Sequence, residues 1–188
     1  KRAVSPARPR WQGAAGSARR AGMIGSEHIV AIIVAAGSGS RAGGGVPKQY
    51  RPVGGRALVA HAHAAFSAHP EVDDVVEVVA PGAEQAARKV VGDKVKLVTG
   101  GASRRESVAH GLAAAAAMRA TRVLIHDAAR PFPPAGVISA VVEALEAHEG
   151  ALPALPVADT LARGGELLGE VVSRDELVRV QTPQGFRL

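Results

Sequence analysis

An unbroken apolar run, Ile29–Ala35 (IVAIIVA), is followed directly by a glycine-rich loop. Seven apolar residues without a polar interruption predict a β-strand buried on both faces, which is typical of a parallel sheet covered by helices. A strand of this kind requires packed layers on both sides of the sheet. The chain has 188 residues, enough for one such domain with a real core.

Strand-like and helix-like segments alternate along the rest of the chain. Further strands are predicted over 75–80, 95–98, 122–126 and 151–155, and helices over 56–69, 83–91, 104–117 and 134–148. Ser103 and Glu106 have the spacing of a capping box at the start of the third helix. This order predicts a doubly wound α/β fold with a mostly parallel, Rossmann-like sheet. Ligands of such folds bind beyond the carboxyl ends of the strands.

Residues 158–172 break the alternation. They are polar and glycine-rich before they return to Leu-Gly-Glu-Val-Val. We interpret them as a hairpin-like excursion from the sheet, an arm over about 157–174.

The net charge of +6 comes from one end of the chain. Six of the 23 lysines and arginines lie in the first 22 residues, which contain no acid, and the other 17 are matched by 17 acids. A basic total favours a nucleic-acid binder, but the neutral body does not, so no nucleic-acid partner is expected. We expect residues 1–24 to be a disordered basic tail and 25–188 to be the folded domain, with residues missing at its carboxyl end. The expected location is cytoplasmic, or a plastid if residues 1–22 are a transit peptide.

Composition excludes several other classes of protein. The chain has no cysteine, which rules out disulfides, cysteine zinc sites and thiol nucleophiles. Aromatic residues make up 3% of the chain, too few for a base-stacking platform. No apolar run approaches the ~20 residues that span a bilayer, so no membrane partner is expected.

The loop after the first strand has the composition of a phosphate site. Gly37 and Gly39 let backbone N–H groups approach phosphate oxygens closely, and Arg41 and Lys48 add positive charge. A P-loop is excluded because its lysine must be followed by Ser or Thr at a helix start, whereas Lys48 lies between Pro47 and a glutamine.

A dinucleotide-binding interpretation of this loop is weak, and two other interpretations remain open. Its glycines match the loose dinucleotide fingerprint, but a second glycine run prevents the immediate helix, and the predicted second strand lacks the required terminal acid. A dinucleotide-dependent oxidoreductase is therefore disfavoured. What remains is a long nucleotide-wrapping loop with its own Arg and Lys, or a flexible glycine loop with solvated charges.

Polar residues also follow the third and fourth predicted strands. Residues 99–107 (TGGASRRES) predict either a donor-rich pocket wall at a helix N-terminus or an ordinary turn. Asp127 follows a buried strand and is suited to hold Mg²⁺, or to cap a turn. Arg130 would neutralise phosphate or pair with Asp127, and His126 is expected to pack and hydrogen-bond locally. Near Asp159 and in the later loops, Thr160, Arg174 and Thr182 have side chains that suit a second phosphate, but taken alone these residues are better explained as ordinary loop residues.

Five segments together resemble the 2-C-methyl-D-erythritol 4-phosphate cytidylyltransferase family, in order and in spacing. They are 35–49 (AAGSGSRAGGGVPKQ), 99–112 (TGGASRRESVAHGL), 126–132 (HDAARPF), 155–160 (LPVADT) and 181–186 (QTPQGF). The resemblance covers residues 29–188. The wider group includes ribitol-phosphate cytidylyltransferases, so ribitol 5-phosphate is an alternative acceptor. A non-catalytic nucleotide- or nucleic-acid-binding protein is a further alternative.

The resemblance implies a Mg²⁺-dependent transfer of the cytidylyl group from CTP to methylerythritol phosphate, with release of pyrophosphate, in non-mevalonate isoprenoid biosynthesis. It assigns catalysis to Arg41 and Lys48, and Mg²⁺ to Asp127. It also implies a homodimer formed through the arm. The positions it assigns to CTP are Ala35, Ala36, Gly37, Gly39, Gly101, Ala102, Ser107 and Asp127. Those it assigns to the acceptor are Arg130, Asp159, Thr160, Arg174 and Thr182.

Overall fold

The computed structural model describes residues 27–37 and 46–188. The basic tail 1–24, Gly39 and Arg41 lie outside these residues. What was expected of them stays a prediction.

The described part of the chain forms an α/β domain. Its strands are β1 (Ile29–Ala35), β2 (Pro52–Val53), β3 (Arg56–Ala57), β4 (Asp74–Val79), β5 (Lys96–Thr99), β6 (Arg122–Asp127), β7 (Gly150–Ala151), β8 (Ala154–Pro156), β9 (Leu161–Ala162), β10 (Val171–Val172), β11 (Val178–Val180) and β12 (Gln184–Arg187). Its helices are a 3-10 turn (Lys48–Tyr50), α1 (Leu58–Ser67), α2 (Glu84–Val91), α3 (Arg104–Ala117) and α4 (Ala135–Ala144).

Six strands form the central sheet in the order β5-β4-β1-β6-β12-β7. The first four are parallel, and β12 runs antiparallel to both of its neighbours. The chain proceeds from β1 to β4 and β5 on one side and then returns to β6 on the other. This reversal creates a switch point at β1, the place where ligands bind in such sheets.

Helices cover both faces of the sheet, as the uninterrupted apolar pattern of β1 predicted. Ile29, Ala31 and Ile33 face a core that includes residues of α1, α2 and α4. Val30 and Ile32 face the opposite core, beneath α3. The predicted doubly wound α/β fold is therefore confirmed. No helix within 27–37 and 46–188 is long and apolar enough to cross a membrane.

Three predicted elements were wrong in detail. The helix predicted over 134–148 ends at Ala144. The helix predicted over 56–69 begins only at Leu58, because Arg56 and the next residue pair with β2 in a short hairpin. The strand predicted over 151–155 is divided around Pro153, which has no N–H to donate to a ladder. Its first part, β7, stays in the central sheet, while β8 leaves the sheet and pairs with β11.

The segment 184–187 forms a strand that the sequence pattern did not predict. As β12 it pairs with β6 on one side and β7 on the other. Gly185 permits the close approach of α4, since an added Cβ would lie 2.6 Å from Val141 Cγ1 and 2.9 Å from Leu145 Cδ1. A larger residue at 185 would push this helix off the sheet.

The excursion predicted over 158–172 is present and is longer than expected. Two successive antiparallel pairs, β8 with β11 and β9 with β10, carry the chain out from the sheet and back over residues 154–180. Several of its apolar side chains are exposed, with Leu167 and Leu168 each at 86%. That this arm forms a dimer stays a prediction.

Candidate active site

Most of the polar segments identified in the sequence meet at the carboxyl edge of the parallel strands. Ala35 ends β1 and Asp127 ends β6, and the register pairs Val34 with Asp127, so the two strand ends lie side by side. Gly100 follows β5 and donates its N–H to Val79 O, at the end of β4, at 2.7 Å. The edge is therefore built around the switch point.

Gln49 fastens the Lys48 segment to this edge. Its side chain is buried and donates from Nε2 to Ala35 O at 2.7 Å and to Gly37 O at 2.9 Å. Ala35 is the last residue of β1 and Gly37 follows it, so the glutamine holds the two ends of the glycine loop together. Lys48, the preceding residue, is exposed beside them. Because Gln49 binds the end of β1, the position of that strand in the sheet determines where Lys48 lies.

The turn after β5 packs directly against the end of β1. A Cβ at Gly100 would lie 2.5 Å from Ala36 Cβ and 2.8 Å from Ser107 Oγ, so only glycine fits there. The buried Ser107 hydroxyl accepts from Gly101 N at 3.1 Å and donates to Ser103 O at 2.9 Å. Ser107 therefore shapes the wall that carries Gly101.

The N-terminus of α3 is capped as predicted, with one difference. Ser103 Oγ accepts from Glu106 N at 3.1 Å, which is the N-cap bond. In a capping box, the Glu106 carboxylate would accept a hydrogen bond from the Ser103 N–H. Here Glu106 Oε2 instead accepts from Ala102 N at 2.8 Å, so the turn is held one residue earlier.

Asp127 lies between two arginines. Arg104 donates from Nε and Nη2 to Asp127 Oδ1 at 3.1 and 3.0 Å. Arg130 Nε lies 3.6 Å from the other oxygen, Oδ2. Arg130 also donates from Nη1 to Gln181 Oε1, which ties this cluster to the segment before β12. The Asp127 side chain is one-third exposed and open to a ligand.

His126 supports the site from within the core. It is fully buried, and burial lowers its pKa, which favours the neutral ring. With one ring proton, Nε2 donates to Arg130 O at 2.8 Å and Nδ1 accepts from the Thr182 hydroxyl at 3.0 Å. The local packing role expected of His126 thus brings Arg130 and Thr182 together.

The remaining acceptor candidates lie on the arm. Asp159 and Thr160 are exposed in the connection between β8 and β9. Arg174 lies after β10 and donates from Nη1 to Ala158 O. No hydrogen bond or ion pair between described residues links these three to the strand edge, so within one chain the structure does not bring them to it.

Sequence analysis missed three residues that organise the site: Gln49, Arg104 and Gln181. Arg104 is the first residue of α3, where the helix dipole disfavours a positive charge, and this placement is the signal that points to a partner. Gln49 and Gln181 lie inside motifs already identified, but nothing in their spacing indicates which carbonyl or guanidinium they meet.

Within residues 27–37 and 46–188 no group of three or more His, Cys, Asp or Glu is placed to hold a metal ion. Asp127, a partly exposed carboxylate, lies at the carboxyl edge of the parallel strands. One carboxylate with substrate phosphates is a donor set that suits Mg²⁺. The residues therefore fit a metal that arrives with a nucleotide better than a permanently bound one.

The parallel sheet with its switch point at β1, and the polar loops gathered at the carboxyl ends of its strands, define a doubly wound, ligand-binding type of α/β domain. Residues 29–188 match the family model of 2-C-methyl-D-erythritol 4-phosphate cytidylyltransferase, IspD. The chain belongs to this family.

Curated relatives agree with this assignment. The bifunctional enzyme IspD/IspF of Rhizorhabdus wittichii is 55% identical over 167 residues, which cover 88% of this chain and 43% of that protein. The 2-C-methyl-D-erythritol 4-phosphate cytidylyltransferase of Cereibacter sphaeroides is 48% identical over 162 residues, or 84% of this chain and 72% of that protein. The chain therefore spans less than half of the bifunctional relative.

Solved structures share the fold. A crystal structure of 2-C-methyl-D-erythritol 4-phosphate cytidylyltransferase from Thermus thermophilus has a TM-score of 0.68 at 38% identity and covers 85% of this chain and 70% of that one. A crystal structure of a 4-diphosphocytidyl-2C-methyl-D-erythritol synthase has a TM-score of 0.74 at 32% identity, with 86% and 75% covered.

Proposed function

We propose that this protein transfers the cytidylyl group of CTP to 2-C-methyl-D-erythritol 4-phosphate. A phosphate oxygen of the acceptor attacks the α-phosphorus of CTP, the bond between the α-phosphorus and the bridging oxygen to the β-phosphate breaks, and pyrophosphate leaves. The products are CDP-methylerythritol and pyrophosphate. The acceptor phosphate is already ionised, so the reaction needs no strong general base.

One observation carries the proposal: four of the five family motifs converge on one edge of the sheet. Gln49 joins the loop motif to the end of β1. Gly100 packs against Ala36. Asp127 ends β6, and Gln181 meets Arg130 beside it. The fifth motif, 155–160, lies on the arm.

Positioning and charge stabilisation account for catalysis in this reaction class, because nucleotidyl transfer needs little covalent help from the protein. Lys48, together with Arg41 by family analogy, would neutralise the triphosphate as charge builds up on the leaving pyrophosphate. Main chain around Ala35, Ala36, Gly101 and Ala102 would hold the cytosine, and Ser107 would keep that wall in place.

Asp127 would hold the Mg²⁺ that accompanies CTP, and this ion would neutralise phosphate charge. Arg104 and Arg130, which contact the same carboxylate, would stay at this edge close to a polyanionic substrate.

The exposed apolar side chains of the arm support a homodimer in which the arm crosses to a second copy. Leu167, Leu168 and Val171 are 86, 86 and 67% exposed, which is unusual for neighbouring apolar residues of a monomer. In such a dimer Asp159, Thr160 and Arg174 would reach the acceptor phosphate in the partner's site, which would explain why no described contact ties them to the edge of their own chain.

The decisive experiment measures pyrophosphate release by the purified protein with CTP, Mg²⁺ and methylerythritol phosphate, with ribitol 5-phosphate as the alternative acceptor. Release with methylerythritol phosphate in preference to ribitol 5-phosphate is expected. No release with either acceptor would refute the proposed function.

The dimer is tested by sedimentation. Leu167→Glu should shift the protein toward the monomer, whereas Ala116→Glu, on the exposed side of α3, should leave the mass unchanged. A wild-type protein that sediments as a monomer would contradict the proposed dimer.

A further inference from the structure

Two buried polar atoms have no hydrogen-bond partner among the described residues: the Tyr50 hydroxyl and Glu77 Oε2. A phenol hydroxyl donates and a carboxylate oxygen accepts, so the two groups are chemically complementary. Buried polar groups in native proteins are nearly always paired, directly or by an ordered water. The pairing of these two groups would satisfy both at once.

Glu77 is held in the core by a specific contact. It lies in the middle of β4, fully buried, between Ile33 of β1 and Leu97 of β5 in the sheet register. Its other oxygen, Oε1, is 3.0 Å from His63 Nδ1 on α1. Burial raises the pKa of Glu77, and His63 opposes that effect. A carboxyl at a position that packing alone would fill with an apolar residue points to a role beyond packing.

Tyr50 connects the same core to the active site. It is the last residue of the 3-10 turn that begins with Lys48, and it packs against the core on the α1 face, where Val79 and Phe66 also lie. The 3-10 turn contacts α1, the helix whose His63 binds Glu77, so Tyr50 and Glu77 lie in the same core. Burial raises the pKa of Tyr50, and the charge of Glu77 adds to that effect. Lys48 faces solvent at one end of this turn while Tyr50 anchors the other end.

We propose that Glu77, held by His63, is linked to the Tyr50 hydroxyl through one buried water and thereby positions the segment that carries Lys48. This inference rests on the proposed function, in which Lys48 acts on the triphosphate. Tyr50 and Glu77 are positioning residues, since neither touches the substrate. Gln49 fixes the segment to β1 and the Tyr50–Glu77 pair fixes it to β4, so two neighbouring strands set the placement of one lysine.

The kinetic test compares Tyr50→Phe and Glu77→Leu with Glu77→Gln. The first two remove the hydrogen bond while filling the space, and each should lower kcat about fivefold with little change in KM for CTP. Glu77→Gln keeps hydrogen-bonding atoms at the same place and should retain most of the turnover. Val142→Ala, in the same core but on α4, is the matched control for a loss of stability alone.

A second readout needs no activity. Tyr50 is the only tyrosine of the chain, so an alkaline absorbance titration reports on this hydroxyl alone. Its pKa should lie above the ordinary value of about 10 in the wild type and return toward it in Glu77→Leu. Circular dichroism over the same range shows that the protein is still folded.

The inference is overturned if Tyr50 titrates at its ordinary value in the wild type, or if Glu77→Leu leaves its pKa unchanged, since burial alone also raises that pKa. It is also overturned if Tyr50→Phe and Glu77→Leu turn over like the wild type, or lose no more activity than Val142→Ala. A wild type that releases no pyrophosphate would refute the proposed function instead, and the titration would then still decide whether the hydrogen bond exists.

Discussion

Arg104 binds Asp127 through both Nε and Nη2, at 3.1 and 3.0 Å, and both bonds converge on Oδ1. The two side chains are 53 and 33% exposed, so the pair contributes at most about 1 kcal/mol to folding stability. Its importance therefore lies in ligand binding. A guanidinium of the protein already binds one oxygen of the carboxylate that we propose to hold the metal.

Asp127→Asn should lower turnover by at least about tenfold, because the loss of a residue that only supports a metal ligand already lowers activity by about that factor. It should also raise the Mg²⁺ concentration needed for half-maximal pyrophosphate release. Arg104→Gln should lower that concentration, because the carboxylate then loses a cation that competes with Mg²⁺. Asp93→Asn, at the amino edge of the sheet, serves as the control, and equal Mg²⁺ dependence in all four proteins would contradict the assignment.

Lys48→Gln should depress kcat by about 10²–10³, which corresponds to the roughly 2.7–4 kcal/mol lost with one charge-stabilising donor. KM for CTP should change much less, because the charge develops on the way to the transition state. Steady-state kinetics with CTP varied measures both quantities. Lys96→Gln, at the amino end of β5, should be neutral. A rise in KM with unchanged kcat would show that Lys48 stabilises the bound substrate and the transition state equally, and so does not act on the chemical step.

Gly100→Ala should destabilise the protein by about 1–3 kcal/mol, because its Cβ would overlap Ala36 Cβ and Ser107 Oγ at the junction of two site loops. The thermal midpoint should fall accordingly. Gly164→Ala is the matched control, since nothing lies within 4 Å of a Cβ there. A Gly100→Ala protein as stable as the control would mean that the loops separate easily.

His28 should make stability depend on pH. Its Nε2 lies 2.8 Å from Asp74 Oδ2 and its Nδ1 lies 3.0 Å from Met118 O, so both nitrogens donate only when the ring is protonated. The hydrogen bond to Asp74 raises the pKa of His28, although burial partly opposes it. A raised folded pKa gives stability that is complete below the ordinary value of about 6.5. That stability is lost as the pH rises through the folded value.

His28→Gln should therefore cost more stability at about pH 5.5 than at about pH 8.5. The difference should stay below about 1 kcal/mol because the pair is partly exposed. Urea unfolding at the two pH values measures it. His148→Gln, at an exposed position after α4, should show no such difference, and an equal cost of His28→Gln at both pH values would contradict the prediction.

The sequence predicted the part of the fold that local patterns control. An apolar run such as β1 must be covered on both faces, and the capping serine at 103 marks the start of α3, so these elements were found with nearly correct bounds. β12 was missed because four residues with one phenylalanine have no period to detect. Its pairing with β6 joins residues far apart in the chain, and such pairing leaves no local signal.

The candidate site was likewise predictable only in part. Asp127 could be predicted because an acid directly after a buried strand must lie at the carboxyl edge. The partners of that acid could not, since Arg104 reaches it from another element whose orientation depends on the packing of α3. Glu77 was also missed, because one acid inside an apolar strand resembles a solvent-facing residue until both faces of the sheet are known to be covered.

The position of β12 between β6 and β7 has a consequence for how the chain folds as it is made. All four parallel strands, and with them the carboxyl edge that carries the candidate site, are complete by Asp127. Among the described strands, β7 joins the sheet only through β12. Domains form from the amino end during synthesis, so the outer edge of β6 stays unpaired until Arg187 has been added. An open sheet edge invites pairing with other chains. Until β12 forms, a nascent chain therefore carries an open sheet edge at β6, and a fragment ending before Gln184 would keep that edge open.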